Sequence, residues 1–240
     1  MSVLLNALRS ALASLRGRAT GRRAAGRAAG HTSDAALLAQ RFPQLEELRR
    51  SFEVSKKLLL EPYAEYVSTV STPIWALSHQ TAALCHALCC GLAPAKILDL
   101  GTGFSSYVLR TYARTADRPC TVYSVDDNRD WLDKTREFLR GKDLSLENLY
   151  LWQDYRRMTN QKFDLIVHDL GGKLKVRVDA LNEILGHCAP SGIVVLDDLH
   201  KWDYEQIALT ACEARGFRLV YMDAETTDQF GRFAGLALPN

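Results

Sequence analysis

From residue 95 onward, short continuous apolar runs alternate with helix-length amphipathic segments, and few folds accommodate that pattern. Ala95–Leu100, Thr121–Val125, Leu149–Trp152, Phe163–Val167 and Gly192–Leu196 read as strands apolar on both faces. Helices are predicted between them, near 105–116, 129–140, 174–188 and 202–214. Strands buried on both sides and separated by helices imply a doubly wound, mostly parallel α/β sheet. Two further strands, Phe217–Met222 and Arg232–Leu238, follow with only a polar loop between them. A parallel pair needs a long crossover, so the last strand of this seven-stranded sheet is expected to be antiparallel.

Three segments are expected: a basic flexible arm over 1–33, an N-terminal helical region over 34–92, and the α/β domain over 93–240. Residues 1–33 hold six arginines and no acid, leaving 24 basic against 28 acidic residues beyond them. Within the arm, residues 1–16 read as a short amphipathic helix. A mildly acidic domain argues against a nucleic-acid partner. The Arg-rich arm fits a flexible extension of a cytoplasmic protein, with a mitochondrial transit peptide as the alternative. In the helical region, Pro43 and Pro62 punctuate helices, Thr72-Pro73 breaks the chain, and a helix follows from about Ile74 to Cys90, stopping near Gly91. No apolar run approaches the roughly 20 residues of a membrane-spanning helix. The six cysteines lack zinc-site spacing and read as small core residues. Trp131 and Trp152 also read as core. A homodimer is compatible with the sequence.

The polar residues worth attention stand at the carboxyl ends of strands, where ligands bind in open α/β sheets. The first strand runs into Asp99-Leu-Gly101-Thr-Gly103-Phe-Ser105, a loop whose glycines let backbone N–H groups approach a ligand. Asp126 closes the second strand and suits the two hydroxyls of a ribose. Gln153 and Asp154 follow the third and suit an adenine edge. Asp169 follows the fourth, and Asp197-Asp198-Leu-His200 follows the fifth. Three carboxylates at neighbouring strand tips call for a cation or a proton, and their hard oxygens suit Mg²⁺ or another divalent ion. Alternatively, Asp197 or Asp198 caps the following helix. In an extended strand these two point to opposite faces, so a shared metal requires a local twist. His200 has the intrinsic pKa of a general base.

Together these residues resemble the class I S-adenosylmethionine-dependent methyltransferases, over roughly residues 70–240. Asp99–Ser105 resembles that superfamily's first motif, with Ser105 at the position of its usual third glycine. Asp126, Gln153-Asp154 and Asp169 match later motifs, and the final hairpin matches the reversed seventh strand. Within the superfamily the chain looks most like the catechol and caffeoyl-CoA type of small-molecule O-methyltransferase. The resemblance implies S-adenosylmethionine as cofactor, held by Asp99, Gly101, Gly103, Ser105, Asp126, Gln153, Asp154 and Asp169. It implies methyl transfer to an oxygen, less readily a nitrogen, of a small-molecule acceptor. Asp169 and His200 are then the catalytic candidates, and Asp169, Asp197 and Asp198 the metal ligands. In that group the second member of the strand-five pair is Asn; here it is Asp198. A methyltransferase-like partner module without activity and a nicotinamide-dependent dehydrogenase are the competing readings. Against the dehydrogenase, Ser106 occupies its third-glycine position.

Overall fold

The computed structural model describes residues 48–158 and 161–240, apart from the side chain of Arg49. The expected arm over 1–33, its amphipathic helix and the expected helix preceding residue 48 lie outside the described residues. Two helices come first, α1 (Leu48–Thr69) and α2 (His79–Leu92). The α/β portion runs β1 (Lys96–Leu100), α3 (Phe104–Thr115), β2 (Thr121–Asp126), α4 (Arg129–Gly141), β3 (Leu149–Leu151) and the short α5 (Trp152–Tyr155). It continues through β4 (Phe163–His168), α6 (Leu174–Ile184), β5 (Cys188–Leu196) and α7 (Trp202–Ala214). The chain closes with β6 (Phe217–Tyr221), the single-turn α8 (Asp223–Thr226) and β7 (Gly235–Pro239).

The seven strands order as β3-β2-β1-β4-β5-β7-β6. Strands β1 to β5 pair in parallel, whereas β7 runs antiparallel to both β5 and β6, as the polar final connection requires. The centre of the sheet is fully buried: Ile97, Leu98, Ile166, Val167, Val194 and Val195 have no exposed surface. Chain order reverses between β1 and β4, opening a crevice at their carboxyl ends. No helix among the described residues is long and apolar enough to cross a membrane.

Several boundaries depart from the expectation. Pro62 lies inside α1 rather than ending it. The carbonyl that loses its donor belongs to Leu58, an exposed residue, where water can replace the missing bond. Helix α2 starts at His79, not near Ile74, because the Ser78 side chain caps it by accepting the Thr81 N–H at 3.0 Å. It runs past Gly91, and Ala93 takes the left-handed cap position at φ 47°. Strand β5 begins four residues before Gly192. Its register slips between Phe163 and Leu165, and a Cβ at Gly192 would lie 2.8 Å from the Phe163 carbonyl oxygen. Trp152 leaves β3 to start α5 and packs half-buried against the core, while Trp131 is half-buried. Among the cysteines, Cys85, Cys89, Cys188 and Cys212 are buried as expected, while Cys90 is exposed.

Candidate active site

The loop after β1 is stitched together by buried polar groups. Gly101 takes φ +92°, and a Cβ there would stand 2.6 Å from the backbone C and O of Asp169, so only glycine lets this loop lie against the end of β4. The Gly103 N–H donates to Ser106 Oγ at 3.2 Å, and Ser106 Oγ donates onward to Asp99 Oδ2 at 2.5 Å. Asp99 also accepts the Ser124 hydroxyl at 2.7 Å, and Ser124 is held in turn by the Arg110 guanidinium. Burial pushes the Asp99 carboxyl up, against the pull of those hydroxyls. Its place is beneath the loop, supporting it. Ser105 donates to the Gly101 carbonyl at 3.3 Å, so its hydroxyl closes the turn.

Asp126 is the hub of the β1-loop side of the site. Its Oδ2 accepts both the N–H (2.7 Å) and the hydroxyl (2.9 Å) of Thr102, while Oδ1 accepts the Asn128 N–H at 2.9 Å. Desolvation outweighs these donors and raises its pKa to about 6. The carboxylate thereby ties the β1 loop to the end of β2. Asp154 and Gln153 lie on α5 beyond the edge strand β3; Gln153 is exposed and Asp154 pairs with Arg157 at 3.3 Å.

At the ends of β4 and β5 the expected acids do meet. One ligating oxygen each from Asp169, Asp197 and Asp198 lie within 4.8 Å of one another. Strand alternation had placed Asp197 and Asp198 on opposite faces. The strand stops at Leu196, however, and Asp198 adopts φ +64°, which swings both carboxyls to one place. Neither caps α7, whose N-cap is Lys201 and has no side-chain cap.

The expectation of unpaired charge is corrected. Arg177 of α6, which is 5% exposed, reaches into the cluster. Its Nη2 lies 2.9 Å from Asp169 Oδ1 and 3.1 Å from Asp198 Oδ2. The same nitrogen donates to the Asp169 carbonyl at 3.3 Å, while Nη1 donates to the Asp197 carbonyl at 3.4 Å and Nε to the Gly171 carbonyl at 3.4 Å. Lys201 forms a second ion pair with Asp198. Burial raises Asp169 to about 6 despite Arg177 and pushes Asp197 well up. For Asp198 burial acts in the same direction, but Arg177, Lys201 and His200 overcome it and keep the carboxylate ionised. Two of the carboxylates that would face a divalent ion, Asp169 and Asp198, already face a buried guanidinium, and the third, Asp197, accepts the Thr81 hydroxyl at 3.4 Å, so the residues present do not fit a metal.

His200 stands at the rim, its side chain 26% exposed and its Nδ1 3.6 Å from Asp198 Oδ1, beyond hydrogen-bond length. Burial lowers its pKa against the opposing pull of Asp198, so the ring is neutral at pH 7. His168, by contrast, is fully buried, donates from Nε2 to the Arg177 carbonyl at 3.0 Å, and is depressed to about 3 by burial and Arg177. It supports the start of α6.

Two residues that the sequence reading passed over shape the mouth of the crevice. Tyr66 of α1 is buried with its hydroxyl 2.9 Å from where a Gly103 Cβ would be, and it feels Asp126, Asp99 and Asp169 electrostatically, linking both halves of the site. Arg232, paired with Asp228, donates to the carbonyls of Pro73 and Ile74 at 2.8 Å and of Ala76 at 3.1 Å. It fastens the 72–77 turn to the loop before β7, beside His200, and leaves Ile74, Trp75 and Phe230 exposed there.

No protein-family model and no curated protein sequence matches the chain. Solved structures do share its fold. An O-methyltransferase from Bacillus cereus in complex with S-adenosylhomocysteine superposes with TM-score 0.56 at 14% identity, over 77% of this chain and 89% of its own. A Podospora anserina methyltransferase bound to S-adenosylhomocysteine gives 0.55 at 10% identity, over 81% and 88%. An O-methyltransferase of tomaymycin synthesis from Streptomyces achromogenes, in complex with S-adenosylmethionine, gives 0.52 at 15%, over 89% and 98%. The fold is therefore that of the class I S-adenosylmethionine-dependent methyltransferases.

Proposed function

We propose that the chain is an S-adenosylmethionine-dependent methyltransferase acting on an oxygen of a small-molecule acceptor. The observation that carries this reading is the Gly101–Gly103 loop locked to Asp126 at the switch point of a fold shared with cofactor-bound methyltransferases. Asp126 retains one lone pair for a ribose hydroxyl, Asp154 and Gln153 beyond the end of β3 are the candidates for an adenine edge, and the start of α3 has backbone N–H groups suited to a carboxylate. When bound, S-adenosylmethionine supplies an electrophilic methyl group.

The remaining work falls to the protein: holding the acceptor, excluding water and removing its proton. His200 is neutral and half-open to the crevice, so it accepts the acceptor's hydroxyl proton; Asp169, fixed by Arg177, orients that hydroxyl. Ile74, Trp75 and Phe230 give the mouth an apolar rim suited to an aromatic or aliphatic acceptor body. An acceptor oxygen is favoured over nitrogen because two of the three likenesses above are O-methyltransferases.

Isothermal titration with S-adenosylhomocysteine and with NAD tests the cofactor half: the first should bind and the second should not. Turnover of radiolabelled S-adenosylmethionine against phenols, aliphatic alcohols, amines and RNA tests the acceptor half. Transfer to RNA alone would reject the small-molecule reading. With a working acceptor, the acidic limb of the pH–rate profile should fall below the ordinary histidine value and disappear in His200→Gln.

A further inference from the structure

We propose that Arg177 is the built-in cation of this active site. It occupies the place between the strand-end carboxylates that a divalent ion would need, fixes Asp169 and Asp198, and makes the chain blind to metal. The inference rests on the methyltransferase reading for its catalytic consequence, but not for its structural content.

Geometry is the main support. Three acids from two strand ends converge within 4.8 Å, an arrangement that a cation or a proton must relieve. One guanidinium nitrogen serves Asp169 at 2.9 Å and Asp198 at 3.1 Å, while the other nitrogens are spent on the carbonyls of Asp197 and Gly171. The Tyr204 ring lies under the guanidinium, 5.3 Å from its central carbon. The arginine is also anchored from behind. His168 Nε2 sits 3.0 Å from its carbonyl oxygen, and Gly171, at φ +93°, has the Arg177 backbone nitrogen 2.9 Å from where a Cβ would be. These contacts fix the backbone from which the guanidinium reaches the acids. An incoming ion would have to expel a buried, permanently charged group from its only partners, which is far costlier than leaving the ion in water.

The substitution has chemical consequences. A divalent ion can take two oxygens of a vicinal diol as ligands and acidify one of them. A guanidinium whose donors are already committed to carboxylates and carbonyls does neither. The acceptor must therefore be activated by proton removal at the rim, and one hydroxyl suffices for it. Arg177 acts through Asp169 and Asp198 and is a positioning residue.

The full-length protein, stripped with EDTA and titrated with Mn²⁺ and Mg²⁺, gives the direct test by calorimetry and thermal melting. Wild type should show no saturable binding and no change in Tm, and any methyl transfer should survive the chelator. Arg177→Gln uncovers the Asp169 and Asp198 carboxyls beside that of Asp197 and should gain saturable Mn²⁺ binding, with Tm rising by roughly 5 °C near saturation. That gain should vanish in the double variant Arg177→Gln/Asp169→Asn. Arg177→Lys, which keeps a charge at the position, should fold and stay metal-blind. Saturable Mn²⁺ binding by wild type that is lost in Asp169→Asn overturns the proposal. So does a folded Arg177→Gln that ignores Mn²⁺. If Arg177→Gln does not fold, the wild-type and Arg177→Lys titrations still decide the matter. None of the metal readouts uses a methyl donor, so a chain without methyltransferase activity would leave them intact.

Discussion

Replacing Asp126 by Asn separates the two jobs this carboxyl performs. It keeps the size and removes the charge. In the native site three donors converge on Asp126: the Thr102 N–H and hydroxyl on one oxygen, and the Asn128 N–H on the other. An amide can accept on only one side. With its oxygen turned to Thr102, its NH₂ faces the Asn128 N–H, and the lost bond costs about 1–3 kcal/mol. Against that stands the desolvation of the native charge. Holding the carboxyl at about 6 instead of 3.8 means that its ionised form is roughly 3 kcal/mol less favourable in the folded protein than in water. The two effects nearly cancel, so stability at pH 7 should stay within about 1–2 kcal/mol of wild type. Cofactor affinity should not be spared. A ribose hydroxyl loses a charged acceptor worth about 1.5–3 kcal/mol, or roughly ten- to 150-fold in Kd.

The pH dependence carries a second signature. Because the folded-state pKa lies above the unfolded one, Asp126 contributes stability that is complete below about 4 and lost as the pH climbs through 6. Cofactor affinity runs the other way, improving as the carboxyl ionises. Both slopes should flatten in Asp126→Asn. Titration calorimetry with S-adenosylhomocysteine between pH 5 and 7.5, alongside urea denaturation, measures them. Equal affinities for the two proteins at neutral pH would refute the ribose assignment.

Gly101→Ala should destabilise by at least about 3 kcal/mol in urea denaturation, since it combines φ +92° with a Cβ 2.6 Å from the Asp169 backbone. Gly103→Ala meets instead the movable Tyr66 hydroxyl at 2.9 Å, so Tyr66→Phe should restore part of its loss; a strictly additive double variant would contradict that contact. In native thiol labelling, Cys90 should react first and Cys120 more slowly. Cys85 and Cys89, fully buried and with thiols pushed well up by desolvation, should wait for unfolding.

The half of the site proposed for the cofactor was legible as a loop and strand-end cluster because it is local. Asp99, Gly101, Gly103, Ser105 and Asp126 fall within 28 consecutive positions, and continuous apolar strands announce where their carboxyl ends must be. What periodicity could not supply was the departure from periodicity. Asp197 and Asp198 meet only because the strand ends at Leu196 and Asp198 turns left-handed. That turn is fixed from afar, by the Leu199 N–H donating to the Phe233 carbonyl at 3.0 Å. Arg177 had a signal that went unused. It lies in phase with Ala180, Leu181 and Ile184, the buried stripe of α6, where an arginine is expensive unless it is paired. A charge in an apolar stripe directly after a strand tipped with acid is a pairing problem whose solution can be read in one dimension.

The acceptor half is built differently, and that difference decides which perturbations are informative. Its parts come from α1, the 72–77 turn, the ends of β4 and β5, α6 and the loop before β7. They are joined by two arginines: Arg177 inside the cluster and Arg232 across the mouth. Removing Asp228 would free Arg232 and loosen the turn carrying Ile74 and Trp75 without touching any group beside Asp126. Removing Asp126 would leave that turn in place. The two halves meet mainly at Gly101, whose missing side chain lets the β1 loop rest on the Asp169 backbone, and at Tyr66, whose hydroxyl abuts Gly103 and feels the charge of Asp126, Asp99 and Asp169. Coupling between cofactor and acceptor must therefore pass through this narrow seam. A change at either residue should shift both affinities, whereas changes at Asp126 or Asp228 should shift one.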